Sequence, residues 1–295
     1  MKVERLLDIF MLYTVLVADI TNSKKFSKNE RKQIQIFIKA CLEILNSIFK
    51  PSIKFDVIFS AGDEFQGLFV SPIAAFLYLR LLKMILLPVQ IRCGIGVGKW
   101  DVRILDGTSS EQDGSAYHNA RIAISNAHDK SDYSVLLNSN SENDIFINAL
   151  MNISFLFAKK QSTYQNELLL LTEMMFPLFS NEIIDIKSFP LMFKLLNNKT
   201  DKDFYVGSKS KSGSKINLIN SIPPDFEPLN LLSSSMLKKK LIITETWKKG
   251  YSTKIANITN TTRQNIDNII KSGNIIEIRN IDATILLLID KTFGG

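Results

Sequence analysis

The stretch Ala61-Gly62-Asp63-Glu64-Phe65 decides how the first half of this chain folds. It joins two runs, Phe55-Asp-Val-Ile-Phe59 and Phe65-Gln-Gly-Leu-Phe69, in which apolar residues recur at every second position. That is the period of a strand with one buried face, and the Gly-containing turn predicts a β-hairpin with carboxylates at its tip. Upstream, Val15-Leu-Val-Ala-Asp19 has the pattern of another strand, apolar until it ends in an acid. A ferredoxin-like βαββαβ sheet lays that strand antiparallel beside the second arm of the hairpin, so Asp19 and Asp63 meet. Two neighbouring carboxylates repel unless one is protonated or a cation lies between them. A hard divalent ion, Mg²⁺ (or Mn²⁺), held by one or two carboxylates plus nucleotide phosphates is the functional resolution. A solvated acidic hairpin tip is the structural one.

Working outward, Ile20-Thr-Asn-Ser23 leads into a helix from about Ser27 to Phe49, with Ser27 and Glu30 spaced as a capping box. Its stripe of Ile34, Phe37, Ile38, Cys41, Leu42, Leu45 and Ile48 predicts the buried face. Pro72 opens the next helix and Pro88 stops it. In the strand that follows, Ile91, Cys93, Ile95 and Val97 face one way, and Arg92, Gly94, Gly96 and Gly98 the other. Glycines along one face leave bare backbone for a close approach, either by a nucleotide base or by a packed helix. A helix over residues 114–127 and a strand over 133–138 complete this part.

Four blocks carry a family resemblance: Val17-Ala-Asp-Ile-Thr-Asn-Ser23, Ala61-Gly-Asp-Glu-Phe-Gln-Gly-Leu68, Ile91-Arg-Cys-Gly-Ile-Gly-Val-Gly98 and Asp113-Gly-Ser-Ala-Tyr-His-Asn-Ala-Arg121. Their order resembles that of SatD-family proteins, and the blocks are similar to those of class III nucleotide cyclases and, more distantly, GGDEF diguanylate cyclases. The resemblance covers about residues 11–138 and implies a cyclase-like palm that binds a nucleoside triphosphate with Mg²⁺ and forms a phosphodiester. Asp19 and Asp63 then hold metal, Glu64 assists, and Ile20 adds its carbonyl. The turn of Ile20, Thr21, Asn22 and Ser23 lends backbone N–H groups to the triphosphate. Arg121 falls on the arginine that grips the reacting phosphate. The ribose-contacting Asn of the cyclases falls on Tyr117, with Asn119 two residues away as its nearest substitute, and this departure leaves a non-catalytic nucleotide sensor as the alternative.

The chain has 295 residues, 45% hydrophobic and 22% charged, a composition that suits a globular protein of about two domains. Cys41 and Cys93 lie in apolar periodic segments and read as reduced core thiols of a cytoplasmic protein. With His118 and His128 the only histidines, a Cys/His zinc site lacks its ligand set. Residues 9–18 imitate a signal-peptide core, but Glu4 and Asp8 precede them and Asp19 ends them. The run from Ile73 to Val89 carries Arg80 and Lys83 and is too short to span a bilayer. No membrane partner is expected. The first ten residues precede the resemblance, so translation starts at Met1 or at Met11.

Strongly apolar helical patterns cover 142–160 and 167–179, where Met174, Met175 and Phe176 suit core or dimer packing. Residues 208–215 are a Ser/Lys run and 222–225 carry two prolines, which places a flexible linker near 208–225. The expected organisation is a palm over 11–140, an all-α connector over 141–234 and a helix-turn-helix domain over 235–295. In the last, a helix is expected from about Ser235 to Lys249, a short one over Ser252–Ile258, a turn at Asn260, and a recognition helix over Thr262–Ser272 that buries Ile266, Ile269 and Ile270. Between Met236 and Lys271 eight basic residues oppose two acidic ones, +6 of the formal +7. Such an excess suits a polyanion, here double-stranded DNA, or is a lysine-rich solvated surface. Lys254, Thr262, Arg263, Gln264, Asn268 and Lys271 are the candidate DNA contacts, since Arg, Gln and Asn read base edges. A three-helix unit serving only homodimerisation is the alternative, and the final helix, Ile275 to Phe293, reads as packing or dimerisation.

Overall fold

The hairpin forms where the alternation places it. In the computed structural model, which describes residues 11–129, 133–178, 183–193, 195 and 241–294, β2 (Ile53–Ala61) and β3 (Glu64–Phe69) are antiparallel and joined by Gly62-Asp63. Gly62 takes φ +59°, the left-handed region that two-residue hairpin turns demand. β1 (Tyr13–Ile20) lies antiparallel beside β3, with Ala18 opposite Phe65. β4 (Ile91–Gly98) lies antiparallel on the other side of β1, and β5 (Val135–Asn138) runs parallel to β4. The order β2-β3-β1-β4-β5 contains the ferredoxin-like arrangement with one strand added.

Helices cover both faces of the sheet. α1 (Lys28–Ile48) closes its N-terminus with the predicted Ser27–Glu30 box and buries the predicted stripe. It also buries Asn46, whose amide exchanges two hydrogen bonds with the backbone of Val57 (3.0 and 3.1 Å). α2 (Pro72–Leu86) packs on the same face, starting from the Ser71 cap with Pro72 in its first turn. α3 (Ser115–Asp129) takes the opposite face, and this decides between the two readings of the glycine strand. A Cβ on Gly94 would stand 2.3 Å from the Ala120 carbonyl, and one on Gly96 2.1 Å from that of Ala116. The bare backbone seats a helix through the backbone of Ala116, Ala120 and Ile124, so no room is left there for a base.

α4 (Asp144–Lys159) and α5 (Thr163–Met175) follow, and then, after the residues outside the description, α6 (Tyr251–Ile258), α7 (Arg263–Ser272) and α8 (Ile275–Phe293). The apolar core beneath α1 and α2 continues without a break through Leu168–Leu171 of α5 and Ile278, Ile285 and Ile289 of α8. Met174, Met175 and Phe176 are core residues. At its centre four charges are buried together. Arg80 of α2 makes a two-pronged pair with Glu173 of α5 (2.6 and 2.7 Å), and also binds Asp282 of α8. Arg279 of α8 binds Glu173 as well, and donates to the Phe176 carbonyl (2.8 Å) and that of Thr246 (3.1 Å). Ser154 of α4 donates to Asp282 (2.6 Å). Burial alone would lift Glu173, but the two guanidiniums, Arg279 foremost, hold it below the ordinary carboxylate range, whereas burial keeps Asp282 above it.

One expected helix is corrected. Residues 241–249 are turns and bends, and 235–240 lie outside the described residues, as does the 208–225 linker. Ile242, Ile243, Thr244 and Thr246 are β-branched, a poor helix sequence. The Thr246 carbonyl, which a helix would bond within its own ladder, is taken by buried Arg279. The other C-terminal elements lie over the expected residues. Asn260 has φ +49°, Thr262 caps α7 through the Asn265 N–H (3.1 Å), and Ile266, Ile269 and Ile270 are buried. Thr259 is buried with its hydroxyl turned onto the Ile255 carbonyl (2.9 Å).

Candidate functional site

Register brings the acidic residues to one edge. With Ala18 opposite Phe65, the next pair along the two strands is Asp19 and Glu64, on the α3 side of the sheet; Asp63 is in the adjoining turn. On its other flank Asp19 stands opposite Arg92, the first polar residue of β4. The two side chains form a fork-to-fork pair, Arg92 Nε and Nη2 donating to the two Asp19 oxygens at 2.9 and 3.0 Å. Arg121 reaches down from α3 to Glu64 (2.6 Å) and to the Gln66 amide oxygen (3.2 Å). The second Glu64 oxygen accepts from Ser60 (2.9 Å). Three strands and a helix thus contribute a row of alternating charge, Arg121, Glu64, Asp19 and Arg92. The half-buried Asp63 has no ion pair or side-chain hydrogen bond among the described residues.

The turn after Asp19 is held from one side. The Thr21 N–H donates to the Gln90 carbonyl (2.8 Å), and Ile20 remains in the ladder opposite Ile91. Asn22 is left-handed (φ 56°) and caps the single turn Ser23–Lys25. The N–H groups of Asn22 and Ser23 have no partner among the described residues. A left-handed residue followed by right-handed ones turns successive N–H groups toward one point, a shape that suits an anion.

Asn119 is elsewhere. It and Arg121 are two residues apart on α3, so about 200° apart around the helix, and they cannot serve one point. Asn119 is buried, donates to the Val97 carbonyl (2.8 Å) and accepts from Asn140 (3.2 Å). Tyr117, on the Arg121 side of the helix, is buried too, its hydroxyl 3.3 Å from Ser109, and burial lifts that phenol to about 12. Arg92, Gln66 and Ser60 are the partners that sequence reasoning missed. For Arg92 a signal existed: in an antiparallel β1–β4 pair whose ends Ile20 and Ile91 meet, the next pair in is Asp19 and Arg92.

Among the described residues no group of three His, Cys, Asp or Glu stands ready as a metal cage. The donor types nevertheless fit Mg²⁺, which takes one or two carboxylates and completes its shell with water and phosphate.

On α7, Thr262, Arg263, Gln264, Asn268 and Lys271 are all exposed, as is Lys254 of α6. Arg263 leans on Asp267 one turn on (3.4 Å).

Residues 13–188 match the SatD family. The chain belongs to that family. No curated protein matches it. Among solved structures, one of a bacterial light-regulated adenylyl cyclase matches at 15% identity and a TM-score of 0.31, covering 43% of this chain and 75% of the other. A second structure of a bacterial light-regulated adenylyl cyclase matches at 11% identity and a TM-score of 0.29, covering 64% of this chain and 57% of the other. Among the described residues of this SatD-family chain, no helix is long and apolar enough to cross a membrane.

Proposed function

We propose that this SatD-family chain binds a nucleoside triphosphate with a divalent cation at the edge formed by β1, β3 and β4, and that the site makes a phosphodiester. The observation that carries the reading is the row of two carboxylates and two guanidiniums, each neutralised by a neighbour and each partly open to water. A metal–triphosphate brings the same two charges in mobile form. Asp19 and Asp63 would turn to the cation with the Ile20 carbonyl beside them and Glu64 assisting, while Arg92 and Arg121 would turn to phosphate, which guanidinium grips in two-pronged fashion. The exchange leaves every charge matched. The Asn22 and Ser23 N–H groups supply further phosphate donors. The bound cation would activate the attacking hydroxyl and neutralise the leaving pyrophosphate.

Asp63→Asn tests the site. Mn²⁺ titrated calorimetrically should bind wild type and not the variant, with apo stability unchanged, because removing one of three neighbouring carboxylates also removes repulsion. Equal binding by both sinks the assignment. Pyrophosphate release from each of the four nucleotides, with Mg²⁺ and with Mn²⁺, then separates turnover from binding.

A second reading, a nucleotide sensor that regulates transcription, is favoured by Tyr117 and Asn119. Both are committed to packing, which leaves the ribose without its usual amide partner. Here α6, the Asn260 turn and α7 act as a helix-turn-helix, with Arg263, Gln264 and Asn268 facing base edges and Lys254, Thr262 and Lys271 the phosphates. Selection from random duplexes with the full chain should enrich one sequence, and Arg263→Ala with Gln264→Ala should cost roughly 1–3 kcal/mol per lost base contact on that site alone. Binding only at low salt with no enrichment refutes it.

A further inference from the structure

α4 is a helix with two apolar faces, only one of which is covered among the described residues. Ile147, Met151, Ser154 and Phe155 pack inward. On the opposite side Phe146, Ala149, Ile153 and Leu156 are exposed, at spacings of three, four and three, the seam period of paired helices. Ile145 flanks them. Ile145 is 69% and Phe146 61% exposed, and with Ile153 and Leu156 they form a cluster rather than isolated apolar side chains. The stripe is flanked by opposite charges: Glu142, exposed, lies in the turn just before the helix, and Lys160, exposed, at its C-terminal end.

We propose that a second copy of this chain docks on this stripe, α4 against α4, antiparallel about a two-fold axis. Centring the pair on Met151 sets Phe146 against the partner's Leu156 and Ala149 against the partner's Ile153. The same register sets Glu142 against the partner's Lys160, twice over by symmetry. Every apolar layer then joins one large residue to a residue it can seat, and the small Ala149 lets the axes approach. A parallel pair is disfavoured by charge, since it would oppose Glu142 to the partner's Glu142 and Lys160 to the partner's Lys160. Antiparallel helix dipoles add to the same preference.

Sedimentation of the full chain over rising concentration should move from 33.4 kDa to twice that mass. Ile153→Glu should hold it at the single-chain mass, with a thermal melt equal to that of wild type at concentrations where wild type is itself single. Lys160→Glu should weaken the dimer severalfold, and adding Glu142→Lys should restore it. Register is tested by mixing Ala149→Cys and Ile153→Cys chains: oxidation should cross-link the mixture more than either alone, with buried Cys41 and Cys93 silent. A chain that stays single at all concentrations has this face covered by its own residues or by another partner, and overturns the proposal. So does a dimer that Ile153→Glu leaves intact, or cross-linking no greater in the mixture.

Discussion

Two sets of four charges, each with two arginines and two carboxylates, lie in this molecule and behave as opposites. At the sheet edge Asp19, Arg92, Glu64 and Arg121 keep between 21% and 52% of their side chains exposed. In the interior Arg80, Glu173, Arg279 and Asp282 are at most 1% exposed. The chemistry of the groups is the same, and only the surroundings differ. In the interior water cannot replace a lost partner, so each charge is locked to its neighbours and the set serves to fix α2, α5 and α8 in one arrangement. At the edge, water and a ligand can both compete for each partner, so the set can reorganise around a bound anion and cation.

The largest effect that tests this contrast is Glu173→Gln. It leaves Asp282 as the one carboxylate against two guanidiniums in the dry core and should cost about 3–5 kcal/mol in urea unfolding. The loss should be full above pH 4.5, the ordinary value for Glu. Glu173 titrates below that value when folded, so its contribution exists above the unfolded pKa and fades as pH falls through the lower, folded one. A cost as small as that of an edge variant breaks the contrast. Next in size, replacing all four interior charges together by apolar residues of similar volume should be neutral or stabilising by about 1–4 kcal/mol, because no charge is then left unmatched.

At the edge, Arg92→Met should change stability by about 1 kcal/mol or less. Its effect should appear in binding instead, and with opposite signs. Freed of its competitor, Asp19 should take Mn²⁺ about fivefold more tightly, the equivalent of about 1 kcal/mol, while a nucleotide–metal complex should bind more weakly for want of the guanidinium. Loss of stability without either change in affinity would make the edge pair a structural one like its buried counterpart.

Much of the sheet was legible because strand period, glycine turns and helix caps are local. The hairpin, the Ser27 cap, the buried face of α1, the left-handed Asn260 and the bounds of α8 all follow from residues within a turn or two of each other. Residues 241–249 were misread for the complementary reason: a helical estimate there could not anticipate a buried guanidinium, from a helix thirty residues on, taking the Thr246 carbonyl.

What the residues determined alone was that an acid stands near the end of β1, that two more stand at a hairpin tip, and that a βαββαβ order would bring them together. Apart from Arg92, which an antiparallel β1–β4 pairing sets against Asp19, the positive charge each would meet was decided only in three dimensions. Arg80 and Arg121 are both single arginines on helices, and their neighbours in sequence do not tell that one is sealed against α5 and α8 while the other pairs with Glu64 in reach of water. Asn119, two positions from Arg121, belongs to another neighbourhood because a helix turns about 100° per residue. Burial, the quantity that separates a fixed ion cluster from an exchangeable one, is a property of the whole packing, and no window of sequence contains it.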